Sequence, residues 1–314
     1  MKKASRALSY IIMYCICGIA FAAPSDYISR EYWQFSDKIG ISLGPCGIAA
    51  SPNGSIYLVD RSFNDPEEAD SQNKQVRAFT PDGKLISSFG NFLSPTGLAI
   101  DQEGNIYFTD DRLAKIYKYS PTHEILQNWG TRGNDKGELL APVAIALDSA
   151  NNIFVVDRAL NKVVKFAPDN RFLLEFGSYG PPHGLDAPLG IVINNLDQVF
   201  VLNGRGGWIE KFDNNGLWQG DGWRLPEEAI PISIALKDNG WIFVGVLSQP
   251  HSRVYVYDRF GKTVGDFPCI APWPDEPNTL HEYMPWGMTI DKNQRLFVAE
   301  LNFRSVAVFQ EKTN

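Results

Sequence analysis

Pro142-Val143-Ala144-Ile145-Ala146-Leu147-Asp148, then Asn151-Asn152-Ile153-Phe154-Val155-Val156-Asp157, then Lys162-Val163-Val164-Lys165-Phe166, then Phe172-Leu173-Leu174-Glu175-Phe176-Gly177: these segments decide the fold. They read as four short β-strands in succession. Each is rich in β-branched and aromatic residues, and Asn- or Asp-bearing turns separate them.

The same pattern recurs outward in both directions. Repeats open at Pro45-Cys46-Gly47, Pro95-Thr96-Gly97, Pro142-Val143-Ala144, Pro188-Leu189-Gly190, Pro231-Ile232-Ser233 and Pro285-Trp286-Gly287. They lie about 43 to 54 residues apart, the period range of propeller blades. The sixth stops at Val306-Ala307-Val308-Phe309, one strand short, while Glu31-Tyr32-Trp33-Gln34-Phe35 supplies a fourth-strand pattern ahead of the first. A chain that starts on a fourth strand and ends on a third closes a ring and removes its sheet edges. The expectation is an all-β, six-bladed propeller of four-stranded blades, with Trp33 and Phe35 beside the Val306–Phe309 strand. An open solenoid would need capping repeats rather than a split one.

The chain has 314 residues, with 44% hydrophobic residues, 19 Phe, 12 Tyr and 8 Trp, enough for a large core. Lys2, Lys3 and Arg6 precede an apolar run too short to span a bilayer, and Ala20-Phe21-Ala22 fits a small-x-small cleavage site. Residues 1–22 therefore read as a signal peptide and 23–314 as one domain, periplasmic or secreted and expected to be monomeric. The alternative is an uncleaved anchor. The formal net charge of −7 argues against nucleic acid as partner, since phosphate binding needs clustered Lys and Arg. Nothing after residue 23 reads as a membrane span. Cys46 and Cys269 either form a disulfide or stand as two buried thiols.

Pro-x-Gly-Ile-Ala-x-Asp, a Gly-Asn turn, Ile-Tyr-Val-x-Asp and a basic residue before Val-x-x-Phe resemble the NHL repeat. Gly104-Asn105-Ile106-Tyr107-Phe108-Thr109-Asp110 and Gly130-Thr131-Arg132-Gly133-Asn134-Asp135-Lys136-Gly137 carry the resemblance most closely, and blade five is the most worn, with Gly245 standing where Asp is usual. The resemblance implies the fold and leaves activity open, because such propellers include lyases, lactonase-like hydrolases, sensors and scaffolds. It also implies that first strands line a central channel and that inter-blade loops share one face with the connections between second and third strands.

In the amidating-lyase relatives, the position between Pro and Gly carries zinc-binding His in alternate blades. Here it holds Cys46, Thr96, Val143, Leu189, Ile232 and Trp286, so that cage is absent. The mouth does not reproduce the Glu, Asn and Asp set of gluconolactonase-like propellers either. No cofactor is expected; a divalent metal at the irregularly spaced loop residues His183, His251 and His281 is the alternative. Asp60, Asp110 and Asp157 end second strands, where Asp closes turns onto backbone N–H groups.

The arginines depart from the repeat. Arg61 and Arg158 directly follow a strand-ending Asp, and Arg112 and Arg205 sit one step later. One reading is pairing with the adjacent Asp; the other is a rim that captures carboxylates. Trp223, Trp273, His281, Tyr283 and Trp286 gather in or beside the loops from Gly220 to Ile230 and Phe267 to Met284, which suggests a partly apolar site over the channel. Together these residues predict a binding module for a small anionic or peptide-like ligand, or a protein partner, at the loop face. The alternative is a lyase or hydrolase acting at the channel mouth.

Overall fold

The computed structural model describes residues 27–34, 47–60, 74–179, 184–220, 222–272, 280–282, 284–300 and 305–311. Six four-stranded antiparallel sheets form the ring of a six-bladed β-propeller. Within blades 1 to 5 the strands follow chain order from the channel outward; blade 3, for example, runs Pro142–Leu147, Ile153–Asp157, Lys162–Phe166, Phe172–Phe176. In blade 6, Pro285–Ile290, Leu296–Glu300 and Ser305–Glu311 are completed by Tyr27–Gln34. Trp33 is in register with Val306, so the ring closes as the sequence implies, while Phe35 lies outside the described residues. Among the described residues no helix is long and apolar enough to cross a membrane.

The strand patterns follow from this packing. Second strands such as Ile153–Asp157 and Val199–Asn203 are buried at every position, because neighbouring blades cover both faces of the sheet. A strand covered on both faces reads as a continuous apolar run rather than an alternating one. Outer strands meet solvent, and Ile86 and Ile125 remain exposed there.

The core is itself a ring. Six apolar clusters each bridge one pair of adjacent blades. The one between blades 6 and 1 joins Phe297 and Val306 to Ile48 and Leu58.

Where inner strands converge, space is short. A Cβ on Gly97 would lie 2.6 Å from Ala144 Cα, which explains the glycine after the blade-opening Pro-x pair. The register also corrects the reading of blade 5. Pro142 is opposite Asp157 and Pro231 is opposite Val246, so Val246, not Gly245, occupies the strand-ending Asp position. Gly245 sits opposite Ser233, where a Cβ would meet Pro285 O at 2.8 Å.

Two segments taken from sequence as loop are partly strand. Trp223–Arg224 is the outer strand of blade 4, and Phe267 and Pro268 end the outer strand of blade 5. The connection to blade 6 then forms a small hairpin, Ile270–Pro272 against Leu280–Glu282.

Candidate functional site

Each inner strand pairs only with the second strand of its blade, leaving its other edge along the channel. The channel has two parts. A neck of about 80 Å³, at the end where inner strands begin, is ringed by residues including Gly97, Val143, Leu189, Ile232 and Trp286. Toward the tight-turn face it widens to about 670 Å³ between Ile100, Leu147, Ile193, Leu236 and Ile290, with Asn194, Lys237 and Asp238 at the rim.

Thr96 is fully buried, and its hydroxyl donates to Pro142 O at 2.9 Å while sharing a 2.7 Å hydrogen bond with Thr109. Trp286 lines the neck, and its Nε1 is buried without a partner among the described residues. No group of three or more His, Cys, Asp or Glu able to hold a metal occurs among the described residues.

A different concavity collects two of the candidate arginines. A cleft of about 400 Å³ between blades 3 and 4, on the loop face, is lined by Ala141, Arg158, Ala159, Asn161, Tyr179, Asp186, Ala187 and Arg205. Its construction starts at the strand ends. Asp157 is fully buried and accepts hydrogen bonds from the backbone N–H groups of Leu140, Ala141, Ala159 and Leu160. Its carboxylate is thus occupied by the turn, as expected for Asp at this place. Arg158, exposed, has no side-chain partner among the described residues.

In blade 4 the equivalent residue is Asn203. Its Oδ1 accepts from the N–H of Asp186, and its Nδ2 donates to Gly184 O. Arg205 approaches Asp186 only to 3.9 Å, beyond hydrogen-bond length, with its side chain 77% exposed. The adjacent-acid pairing considered from sequence is therefore not made by Arg158, and Arg205, whose strand ends in Asn203, has no adjacent acid and only a loose approach to Asp186.

The cleft floor is pinned on all sides. Leu185 is buried and its N–H donates to Ser178 O; the N–H groups of Gly204 and Arg205 donate to Ala187 O and Asp186 O. Asn161 Oδ1 accepts from Ala187 N–H at 2.8 Å, which ties the blade 3 turn to the loop entering blade 4. Its Nδ2 has no partner among the described residues. Tyr179 stands at the edge, 72% exposed. The chemistry offered is two guanidinium groups, one amide donor, one carboxylate and an open aromatic face.

The other predicted residues are dispersed or undescribed. Arg112 is exposed one blade away, outside this cleft. Trp223 packs between blades, 5.9 Å from both Phe200 and Tyr257 ring to ring, a core position rather than a ligand contact. His251 lies 3.9 Å from Glu282, whose carboxylate accepts from the Ser252 N–H and hydroxyl. His281 belongs to the small hairpin, opposite Ala271. Cys269 is buried. Arg61, Trp273, Tyr283, His183 and Cys46 lie outside the described residues, and with them the disulfide question and the histidine set as a whole.

Asn161 and Asp186 were not singled out from the sequence. Asn161 has a positive φ of 53°, which marks a turn and carries no sign of a site. Asp186 gains its place only through the loop that pins it.

Neither protein-family models nor curated proteins match the chain in sequence. Its structure is similar to that of a streptogramin B lyase, at 16% identity over 93% of this chain and 100% of that one, with a TM-score of 0.59. It is similar to a catalytically inactive virginiamycin B lyase from Staphylococcus aureus with quinupristin, at 14% identity over 91% of this chain and 99% of that one, TM-score 0.63. A gluconolactonase from Xanthomonas campestris aligns at 15% identity over 86% of this chain and 87% of that one, TM-score 0.62. At these identities the likeness shows the propeller fold.

Proposed function

We propose that this chain is an exported NHL-like propeller that binds a carboxylate-bearing ligand through its loop face, at the cleft between blades 3 and 4. The observation that carries the reading is the meeting of Arg158 and Arg205 in one cleft while Asp157, the nearest acid in sequence, is saturated by backbone N–H groups. Arginine suits carboxylates because its planar fork donates two parallel hydrogen bonds. The residual positive potential is local to an otherwise acidic protein, which favours a small anion over a large acidic surface. Calorimetric titration with small mono- and dicarboxylates tests it. Binding that weakens with salt and disappears in Arg158→Ala and Arg205→Ala is the expected result. Undiminished binding in both variants rejects it.

The comparisons bear more on a second reading, a lyase or lactone hydrolase, because the structural neighbours are propeller enzymes. Assays for aldonolactone hydrolysis and for ring opening of an ester-linked cyclic peptide, with the metal content of the purified protein, separate the two. Turnover at a tightly held divalent metal selects the enzyme.

A further inference from the structure

We propose that the ligand of the blade 3–blade 4 cleft is an acidic sugar: a uronic acid unit, presented by an oligosaccharide. The inference rests on the carboxylate-binding reading above and narrows it.

Three features choose the class. The first is Tyr179, 72% exposed and with no ring partner among the described residues. Other large aromatics, Trp223 and Phe176 among them, pack against a ring of the neighbouring blade. A ring left open beside a polar cleft is a platform on which the C–H face of a pyranose can stack.

The second is the mixed polarity of the cleft. A site for a bare anion would hold only donors. This one includes Asp186, whose carboxylate is partly exposed and only loosely engaged by Arg205. An acceptor beside two guanidinium groups fits a ligand that donates through hydroxyls while presenting its own carboxylate. Asn161 Nδ2 adds a donor for a hydroxyl or ring oxygen.

The third is the shape of the apolar part. Ala141, Ala159 and Ala187 are its apolar side chains apart from the tyrosine ring. They offer no deep pocket for the side chain of a peptide, but suit a flat ring with polar edges. The volume of about 400 Å³ falls within the ~300–1,000 Å³ usual for small-ligand sites.

The test is an NMR titration of the full mature protein with trigalacturonic acid, its methyl ester, a neutral glucose trisaccharide and an N-acetylated dipeptide carboxylate. The same ligands are run on Arg158→Ala, Arg205→Ala and Tyr179→Ala, with melting temperatures confirming that each variant is folded. We expect the uronate to bind, the methyl ester and the neutral sugar to bind at least about tenfold more weakly, and each variant to lose about tenfold or more in uronate affinity. Equal binding of uronate and methyl ester overturns the inference, as does uronate binding that all three variants retain. Arginine-dependent binding of the dipeptide without uronate binding overturns the sugar while leaving the carboxylate cleft standing. Binding of none of the carboxylates overturns both.

Discussion

Arg158 follows Asp157 in the chain, yet the two side chains point to different tasks. The carboxylate accepts from four backbone N–H groups and is fully buried; the guanidinium is exposed over the cleft. Their substitutions should therefore separate stability from binding. Asp157→Ala leaves several buried donors unsatisfied and should cost about 2–4 kcal/mol. Arg158→Ala should change stability by no more than about 0.5 kcal/mol, as expected at an exposed position. Urea unfolding of the two variants measures both, and comparable losses would contradict this division of roles.

Ring closure yields the second prediction. Tyr27–Gln34 supplies the outer strand of blade 6 and covers the edge of Ser305–Glu311. The adjoining cluster of Phe297 and Val306 with Ile48 and Leu58 joins the last blade to the first. Deleting residues 23 to 36 should lower the melting temperature sharply and promote association, since the uncovered edge can pair with another chain. A truncated protein that melts like the parent and associates no more than it does would show that the strand is dispensable.

Much of this fold was readable from the chain. The Pro-x-Gly openings, the continuous apolar second strands and the displaced fourth strand are local consequences of packing a sheet between two neighbours, so they are written locally. Trp223 was not readable in the same way. Its strand is two residues long, and only contact with Phe200 and Tyr257 makes it core. The cleft was half legible. Arg158 and Arg205 stood out against the repeat, but their convergence depends on a loop whose position is set by Leu185 and by Asn203 replacing an Asp. No spacing rule encodes that.

Thr96 shows how blades are stitched at the neck. Its hydroxyl reaches Pro142 O in the next blade and Thr109 in its own, with no exposure to solvent. Ser233 makes the matching bond to Pro285 O. Thr96→Val keeps the shape and removes the hydroxyl, leaving Thr109 and a buried carbonyl short of a partner. The expected loss is about 1–3 kcal/mol in unfolding free energy, while Thr96→Ser should retain most of it. Equal stability of Thr96→Val and the parent would show that these hydrogen bonds contribute nothing net.

His123 gives the protein a pH dependence of predictable sign. It sits in a turn of blade 2 with φ 66° and reaches back to blade 1. Its ring stacks on Phe89 at 4.3 Å, and its two nitrogens lie 3.4 Å from the Tyr57 and Ser87 hydroxyls. Burial holds its pKa below the ordinary value of 6.5, so the folded protein favours the neutral ring. A group whose pKa is lowered on folding contributes its full stability above the unfolded value. That contribution falls away as pH drops toward the folded value, because the unfolded chain takes up the proton first. Urea unfolding at pH 7.5 and 5.5 should accordingly show a loss at the lower pH. Much of that loss should vanish in His123→Asn, since asparagine tolerates the positive φ and does not titrate. The variant will be less stable than the parent at pH 7.5 through lost stacking, so the slope between the two pH values is the quantity to compare. An unchanged slope would place the acid sensitivity in another group, though not in Asp148, whose contribution persists through this pH range. Burial alone would raise the Asp148 carboxyl, but hydrogen bonds from Asn152 and Asn214, together with nearby Lys165, hold it below the usual range. Its contribution is lost only as pH falls through that lower value, a more acidic window than the one His123 governs.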